Sequence, residues 1–271
     1  MYYDFYGFTE PPFNITPDPK YLFFSEQHRE ALNHLLFGIR ERKGFIQLTG
    51  EVGAGKTTTC RAFFNELEAN RYITALVLNP VLSPSELLRA VLREMGVDNV
   101  SRDHLDNYER LNDFLLEKVK EGTDVVLVID EAQNLTMELL EQIRLLSNLE
   151  TDNQKLIQIV LMGQPELRRK LEDASLRQLR QRITVRYHLG ALSRDETRRY
   201  LEHRMSVAGG RGTPYFDNGA VKAIQKYSAG IPRMINALAD KSLLAGFVFK
   251  TDRITRQLVR LAAKELDGDF S

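Results

Sequence analysis

A chain of 271 residues, 43% hydrophobic and 27% charged, is long enough for one α/β domain and a smaller companion. Its 37 Lys+Arg and 37 Asp+Glu cancel to a formal net charge of +0, which excludes a global pull toward nucleic acid or acidic lipid and leaves only local basic patches to consider. No apolar run approaches the roughly 18 residues of a spanning helix and the N-terminus lacks a basic-then-apolar leader signature, so a soluble chain is expected.

Residues 1–24 are dense in aromatics and prolines. The prolines argue against a regular helix and the aromatics against a disordered tail, so the reading is an extended arm packed on the core. A stretch around Phe13 to Tyr21 is a candidate cover for an adenine, with plain packing as the alternative. Ser25 caps an expected helix through about Arg42, with Ala31, Leu35 and Ile39 on one face and Gly44 ending it.

Phe45 to Thr49 reads as a short buried strand, and Thr58 to Leu67 as a helix. Between them Gly50-Glu51-Val52-Gly53-Ala54-Gly55-Lys56-Thr57 fits G-x-x-x-x-G-K-[ST], the phosphate-binding loop. In such a loop, continued by Thr58, backbone N–H groups wrap a polyphosphate, the lysine reaches the β and γ phosphates and the threonine hydroxyl holds Mg²⁺. The order strand, glycine loop, helix N-terminus is what this chemistry requires, because the helix dipole and its free N–H groups then point at the phosphates. ATP and Mg²⁺ are therefore the expected ligands. Cys60, just behind the loop, is the one cysteine; it cannot close an internal disulfide, which suits a reducing compartment and a packing role.

Tyr72 to Leu78 is a second strand, Ser83-Pro84-Ser85-Glu86 a capping box with proline at the first helical position, and a polar stretch from Asp98 to Asn107 leads to a helix expected over Tyr108 to Lys120. Val125 to Ile129 is continuously apolar, as in a strand covered on both faces, and ends in Asp130-Glu131. Carboxylates at that end of a parallel strand suit a Walker B pair, with Asp130 holding Mg²⁺ through its water shell and Glu131 polarising the attacking water. Asn134 or Thr136 caps the next helix, and a fourth strand, Leu156 to Met162, runs into Gly163-Gln164-Pro165. Gln164 is a candidate γ-phosphate sensor, against the alternative of a turn residue before a proline-started helix.

Leu176 to Leu189 reads as a basic helix end entering an alternating fifth strand. Arg182, and after it Arg180, are candidates for an arginine finger reaching a neighbour's nucleotide; a structural or DNA-facing role is the alternative. From Ser193 the strand signals stop and helices are expected to the end, with a frayed tail over 265–271. Arg233 in Gly230-Ile231-Pro232-Arg233 sits at a helix start, against the dipole, which makes it a candidate γ-phosphate contact.

Together these motifs resemble an AAA+ ATPase. Tyr2 to Phe8, Pro12-Phe13, Thr16-Pro17-Asp18-Pro19, Gly163 to Leu167 and Gly230 to Arg233 resemble more closely the general secretion pathway protein A (ExeA/GspA) family. The resemblance implies an α/β fold with a five-stranded parallel sheet of order 5-1-4-3-2 over 25–190, then an all-helical lid over 191–271. It also implies roles for Lys56, Thr57, Asp130 and Glu131, for Gln164 and Arg233 as first and second sensors, and for Arg182 as finger. That family's ATPase is cytoplasmic, usually joined through a membrane span to a peptidoglycan-binding region, and helps place the type II secretion channel. The expectation is thus an ATP-hydrolysing enzyme that self-assembles head to tail into a ring or filament. It would serve an envelope-assembly partner, possibly membrane-anchored, at the inner face of a bacterial inner membrane. The sequence ends after the lid, so it reads as the cytoplasmic part of such a protein or as a short member serving a pilus or polysaccharide-export system. The alternative of another class is a DNA-bound regulator of the TniB transposition kind, favoured by Arg177, Arg180, Arg182 and Arg186 and disfavoured by the charge balance.

Overall fold

The computed structural model describes residues 2–14, 18–78, 82–98, 100–151 and 154–268. In chain order the elements are α1 (Tyr2–Tyr6), α2 (Glu26–Arg40), β1 (Phe45–Gly50), α3 (Lys56–Glu66), β2 (Tyr72–Val77), α4 (Pro84–Glu94), α5 (His104–Lys120), β3 (Asp124–Ile129) and α6 (Met137–Leu146). There follow β4 (Ile157–Gly163), α7 (Pro165–Leu171), α8 (Arg177–Arg182), β5 (Ile183–Leu189), α9 (Arg194–Val207), β6 (Tyr215–Phe216), α10 (Asn218–Ser228), α11 (Pro232–Val248), β7 (Arg253–Ile254) and α12 (Arg256–Asp267). They form two compact units, one made of Met1–His28, Glu51–Thr58 and Gly190–Ser271, the other of Arg29–Gly50 and Thr59–Leu189.

The larger unit is a parallel sheet of order β2-β3-β4-β1-β5, the expected 5-1-4-3-2 read from its other edge. Val125, Val126, Leu127, Val128 and Ile129 of β3 are all at most 1% exposed, which is why the run needed no polar alternation: both faces are covered. Leu127 pairs with Ala75 on one side and Ile159 on the other. Leu87, Leu92, Leu111, Leu115, Leu140 and Ile143 from α4, α5 and α6 join the same core. Burying each such side chain contributes about 1.5–3 kcal/mol. The Ser83 capping box is formed, with Glu86 accepting from the Ser83 N–H at 2.8 Å. Thr136, not Asn134, caps α6.

Two boundaries differ from expectation. Helix α5 starts at His104, four residues early, because Asp103 caps it by accepting from the Asp106 N–H at 2.9 Å. The first residues are helical, α1, rather than extended: the prolines begin only at Pro11, and Tyr2 and Tyr6 share one buried face four residues apart.

The smaller unit is built on aromatics. Tyr2, Tyr6, Phe8, Phe13 and Tyr21 share a core with Phe216 of β6 and with Leu201, Ile224, Ile235, Leu238 and Leu243 of the C-terminal helices. The Tyr2 hydroxyl donates to Asp240, and Arg204 lies 4.6 Å from the Tyr21 ring centroid while donating to the carbonyls of Pro12 (2.6 Å) and Asn14 (3.2 Å). Phe13 (1% exposed) and Tyr21 (5%) are inside this core, so neither ring is presented to a base; residues 15–17 of the suggested adenine cover lie outside the described residues. The expected helical lid carries one addition, a two-residue parallel pairing of β6 with β7. Of the expected frayed tail, 269–271 lie outside the described residues, and α12 holds order through Asp267.

Candidate functional site

In a parallel sheet the C-terminal ends of neighbouring strands share one edge, where open α/β sheets bind ligands. Gly50 ends β1, Asp130 follows β3 and Gln164 follows β4, and these three strands are consecutive in the sheet. The edge therefore collects the first residue of the phosphate loop, the acidic pair and the sensor candidate.

At the acidic end the chain turns sharply. Glu131 has φ 53 and ψ 35, a left-handed backbone that a non-glycine residue adopts only where its surroundings hold it, and it opens a short 3-10 turn over Ala132–Asn134. Its N–H donates to Asp130 Oδ1 at 2.8 Å. Its carboxylate then receives two amides: Gln164 Nε2 donates to Glu131 Oε2 at 3.2 Å and Gln133 Nε2 to the same oxygen at 2.5 Å. The Gln133 Oε1 in turn accepts from the Gln164 N–H at 3.0 Å. Lys170 fixes this turn from α7 by donating to the carbonyls of Gln133 (2.5 Å) and Leu135 (2.7 Å). A Cβ on Gly163 would come within 2.7 Å of Gln133 Oε1 and 3.3 Å of the Gln133 N, so a larger residue there would displace the Gln133 amide from its place. Asp130 is 4% exposed. Gln164 does start a proline-led helix, as its alternative reading held, yet its side chain makes no capping bond and serves Glu131 instead.

Sequence reasoning missed Gln133. Its position two residues after a Walker B glutamate was visible, but the left-handed turn that swings its amide back onto Glu131 was not. Behind this end Cys60 is buried, and burial followed by the negative charge of Asp130 pushes its thiol up to about 12, which keeps it protonated and inert as expected.

After Gly50, the phosphate loop, Glu51–Thr58, belongs to the smaller unit. Lys56 is 6% exposed, and its ammonium donates to the Glu51 carbonyl at 3.1 Å. Lys56 and Thr57 open α3, so both stand in its first turn, where the helix dipole favours an anion. Two residues brace the loop from outside. The Arg233 N–H donates to the Gly53 carbonyl at 3.4 Å, and a Cβ on Gly53, whose φ is +79, would lie 2.4 Å from the Arg233 Cβ. Arg233 itself is exposed at the start of α11, held against the loop by its backbone. His28, 4% exposed, was not foreseen: its Nε2 meets the Ala54 carbonyl at 3.1 Å and its Nδ1 the Ser25 hydroxyl at 2.6 Å. Donation to the carbonyl requires a hydrogen on Nε2, which leaves Nδ1 to accept from Ser25. Burial lowers the imidazole pKa, while the Ala54 bond and the charge of Glu196 work in the opposite sense.

Arg182 lies apart from these groups in sequence and is tied within its own chain, donating from Nη1 to Ser147 Oγ at 2.6 Å. Arg180 donates to the Glu172 carbonyl at 3.2 Å.

Residues 39–171 match the family model of an AAA domain. With the sheet order, the phosphate loop and the acidic strand end, this match marks the domain as a P-loop ATPase domain of the AAA class. Its sequence is similar to General secretion pathway protein A of Aeromonas hydrophila, at 44% identity over 269 residues, 99% of this chain and 49% of that protein; the chain spans about half the length of this relative. Three solved structures share the fold. They are the Aeropyrum pernix ORC2 protein (TM-score 0.63, 18% identity, covering 94% of this chain and 71% of that one), Drosophila ORC bound to DNA (0.66, 17%, 94% and 64%) and the Thermotoga maritima RuvB Holliday junction branch migration motor (0.57, 22%, 89% and 69%). At these identities the likeness speaks for the fold alone. Among the described residues no helix is long and apolar enough to cross a membrane.

Proposed function

We propose that the chain hydrolyses ATP in a Mg²⁺-dependent reaction and couples it to assembly of a cell-envelope machine, type II secretion being the system favoured. The observation that carries this reading is the 44% identity to a general secretion pathway protein over 99% of this chain and 49% of that protein; the phosphate-loop motif and the Asp130-Glu131 strand end support it. In this reading the loop from Gly50 to Thr58 cradles the phosphates, Lys56 turns from the Glu51 carbonyl to the β and γ phosphates, and Thr57 and Asp130 hold the metal. The donor set fits: a hydroxyl in a helix first turn and a buried carboxylate at a strand end are hard oxygen ligands of the kind Mg²⁺ takes. Held there, Mg²⁺ would supply positive charge against the phosphates. Glu131 accepts a proton from the attacking water, and Gln164, already on its carboxylate, orients that water against the γ-phosphate. Arg233 approaches the γ-phosphate from the lid side.

Hydrolysis is completed in trans. Arg182, released from Ser147, or Arg180 in its place, stabilises the transition state of a neighbour in a head-to-tail ring or filament, a role worth about 10³ or more in rate. The partner is an envelope-assembly protein at the cytoplasmic face of a bacterial inner membrane. Specific ATPase activity should therefore fall on dilution and return on concentration, and Arg182→Ala should lower it about 10³-fold. Constant specific activity across a wide dilution range would remove the trans arginine. A DNA-bound role instead requires affinity that falls steeply with salt; no binding to duplex at low salt is the expected result.

A further inference from the structure

Against β5 the larger unit holds a cavity of about 340 Å³, which shares only Arg180, the second finger candidate, with the residues assigned above. Its walls come from β1 (Gln47, Thr49), α7 (Arg168, Leu171), α8 (Arg180) and β5 (Arg186, His188). Three guanidinium groups and an imidazole thus face one carboxylate, that of Glu172. Arg180, half-buried, and Arg186, exposed, are positioned by backbone carbonyls rather than neutralised. Arg186 Nη2 donates to the Arg180 carbonyl at 2.6 Å and Arg180 Nη1 to the Glu172 carbonyl at 3.2 Å. Neither has a carboxylate within ion-pair distance among the described residues, and the Glu172 carboxylate stands 3.8 Å from Arg168. The floor is polar as well as buried. Thr49 Oγ1 is bonded to His188 Nδ1 at 3.1 Å, which fixes the imidazole, while the Gln47 carboxamide, on a residue only 5% exposed, makes no hydrogen bond to protein among the described residues.

We infer that this cavity binds a small phosphorylated ligand: a phosphate monoester or diphosphate held by Arg180, Arg186 and His188, with the Gln47 amide donating to a phosphoryl oxygen. Guanidinium forks match phosphate geometry, and preplaced, uncompensated ones lose little on binding. The volume is at the small end of ligand sites, which suits a phosphoryl group with a modest body rather than a nucleoside triphosphate. None of the lining residues belongs to the phosphate loop or to the acidic strand end, so this inference stands without the reading of those sites.

The test uses the full chain carrying Lys56→Ala, which weakens phosphate-loop binding, titrated calorimetrically with pyrophosphate and with inorganic phosphate. Saturable binding near one equivalent is expected, weakened about tenfold or more by adding Arg186→Gln. Arg186 is exposed, so that variant should fold; an unchanged melting temperature checks this. His188→Gln provides a second variant with the same expected direction. Loss of all saturable binding in Lys56→Ala, or binding indifferent to both cavity variants, would overturn the assignment. A single-stranded oligonucleotide that displaces pyrophosphate competitively with a steep salt dependence would move the site to nucleic acid and likewise overturn it.

Discussion

The acidic strand end and the phosphate loop are held by opposite means. Around Glu131 the position of one carboxylate is set by side-chain amides, from Gln133 and Gln164, on top of a left-handed backbone. Around the phosphate loop the conformation is set by packing and backbone contacts, from Arg233 on Gly53 and from His28 on Ala54. The first arrangement fixes one carboxylate oxygen to within a hydrogen bond; the second fixes the course of a whole loop. Damage at the first should therefore appear in turnover with binding intact, and damage at the second in affinity and stability.

The sharpest way to test that division is Glu131→Gln, which keeps size and hydrogen-bonding reach but removes the proton acceptor. Turnover should drop about 10²–10⁴-fold while ATP affinity stays within a few-fold of the parent. Phosphate release at the parental rate would end the assignment of Glu131 as base. Next in size, Gln133→Ala and Gln164→Ala should each lower kcat about tenfold with little change in KM, since both act on one carboxylate oxygen. Because they share that oxygen, the double variant should be non-additive by about 0.5 kcal/mol or more. Strict additivity would mean that the two amides do not act together on Glu131.

On the loop side, Gly53→Ala should do the reverse. Its left-handed φ costs an L-residue about 1–2 kcal/mol, and the new Cβ would press on Arg233. Nucleotide affinity should fall about tenfold and thermal stability should drop, while the rate at saturating ATP changes less. A variant with full affinity and reduced kcat would contradict the contrast drawn here.

What the sequence made legible follows the same line. The phosphate loop, the continuous β3 run and the capping box at Ser83 depend on neighbours within a few residues, and the box forms as read. The sheet order came from resemblance to a fold, and the strand pairing agrees with it. Lost to sequence reading were contacts between residues far apart or turned by unusual backbone. His28 lies 26 positions before Ala54 and looks like one more polar residue in an amphipathic helix. The pairing of Tyr215 with Arg253 joins two-residue strands with no periodicity to detect. The opening helix was misread because prolines starting at Pro11 were allowed to speak for residues before them. Arg233 shows a mixed outcome: a cation at a helix start was noticed, and what brings it there is its own backbone bond to Gly53.

The smallest expected effect concerns that unforeseen histidine. Burial holds the His28 pKa below its ordinary value of 6.5, so the unfolded chain takes up a proton before the folded one does. The neutral form contributes stability that is complete above about pH 6.5 and is lost as pH falls from there toward the depressed folded value. Glu196, whose charge faces His28, does not confuse the window. Burial pushes its carboxyl up, but the Ser193 N–H and hydroxyl and the Glu26 N–H outweigh this and hold it below 4.5, so it stays ionised. Chemical denaturation at pH 7.5 and pH 5.5 should thus show a larger loss for the parent than for His28→Gln, whose amide can still donate to the Ala54 carbonyl but does not titrate. Nucleotide affinity in the parent should weaken over the same interval, because protonating His28 disturbs the hydrogen bonds that brace the loop. Equal losses in parent and variant would show that His28 does not titrate between these pH values, and the imidazole would then be a packing residue with no electrostatic part in holding the phosphate loop.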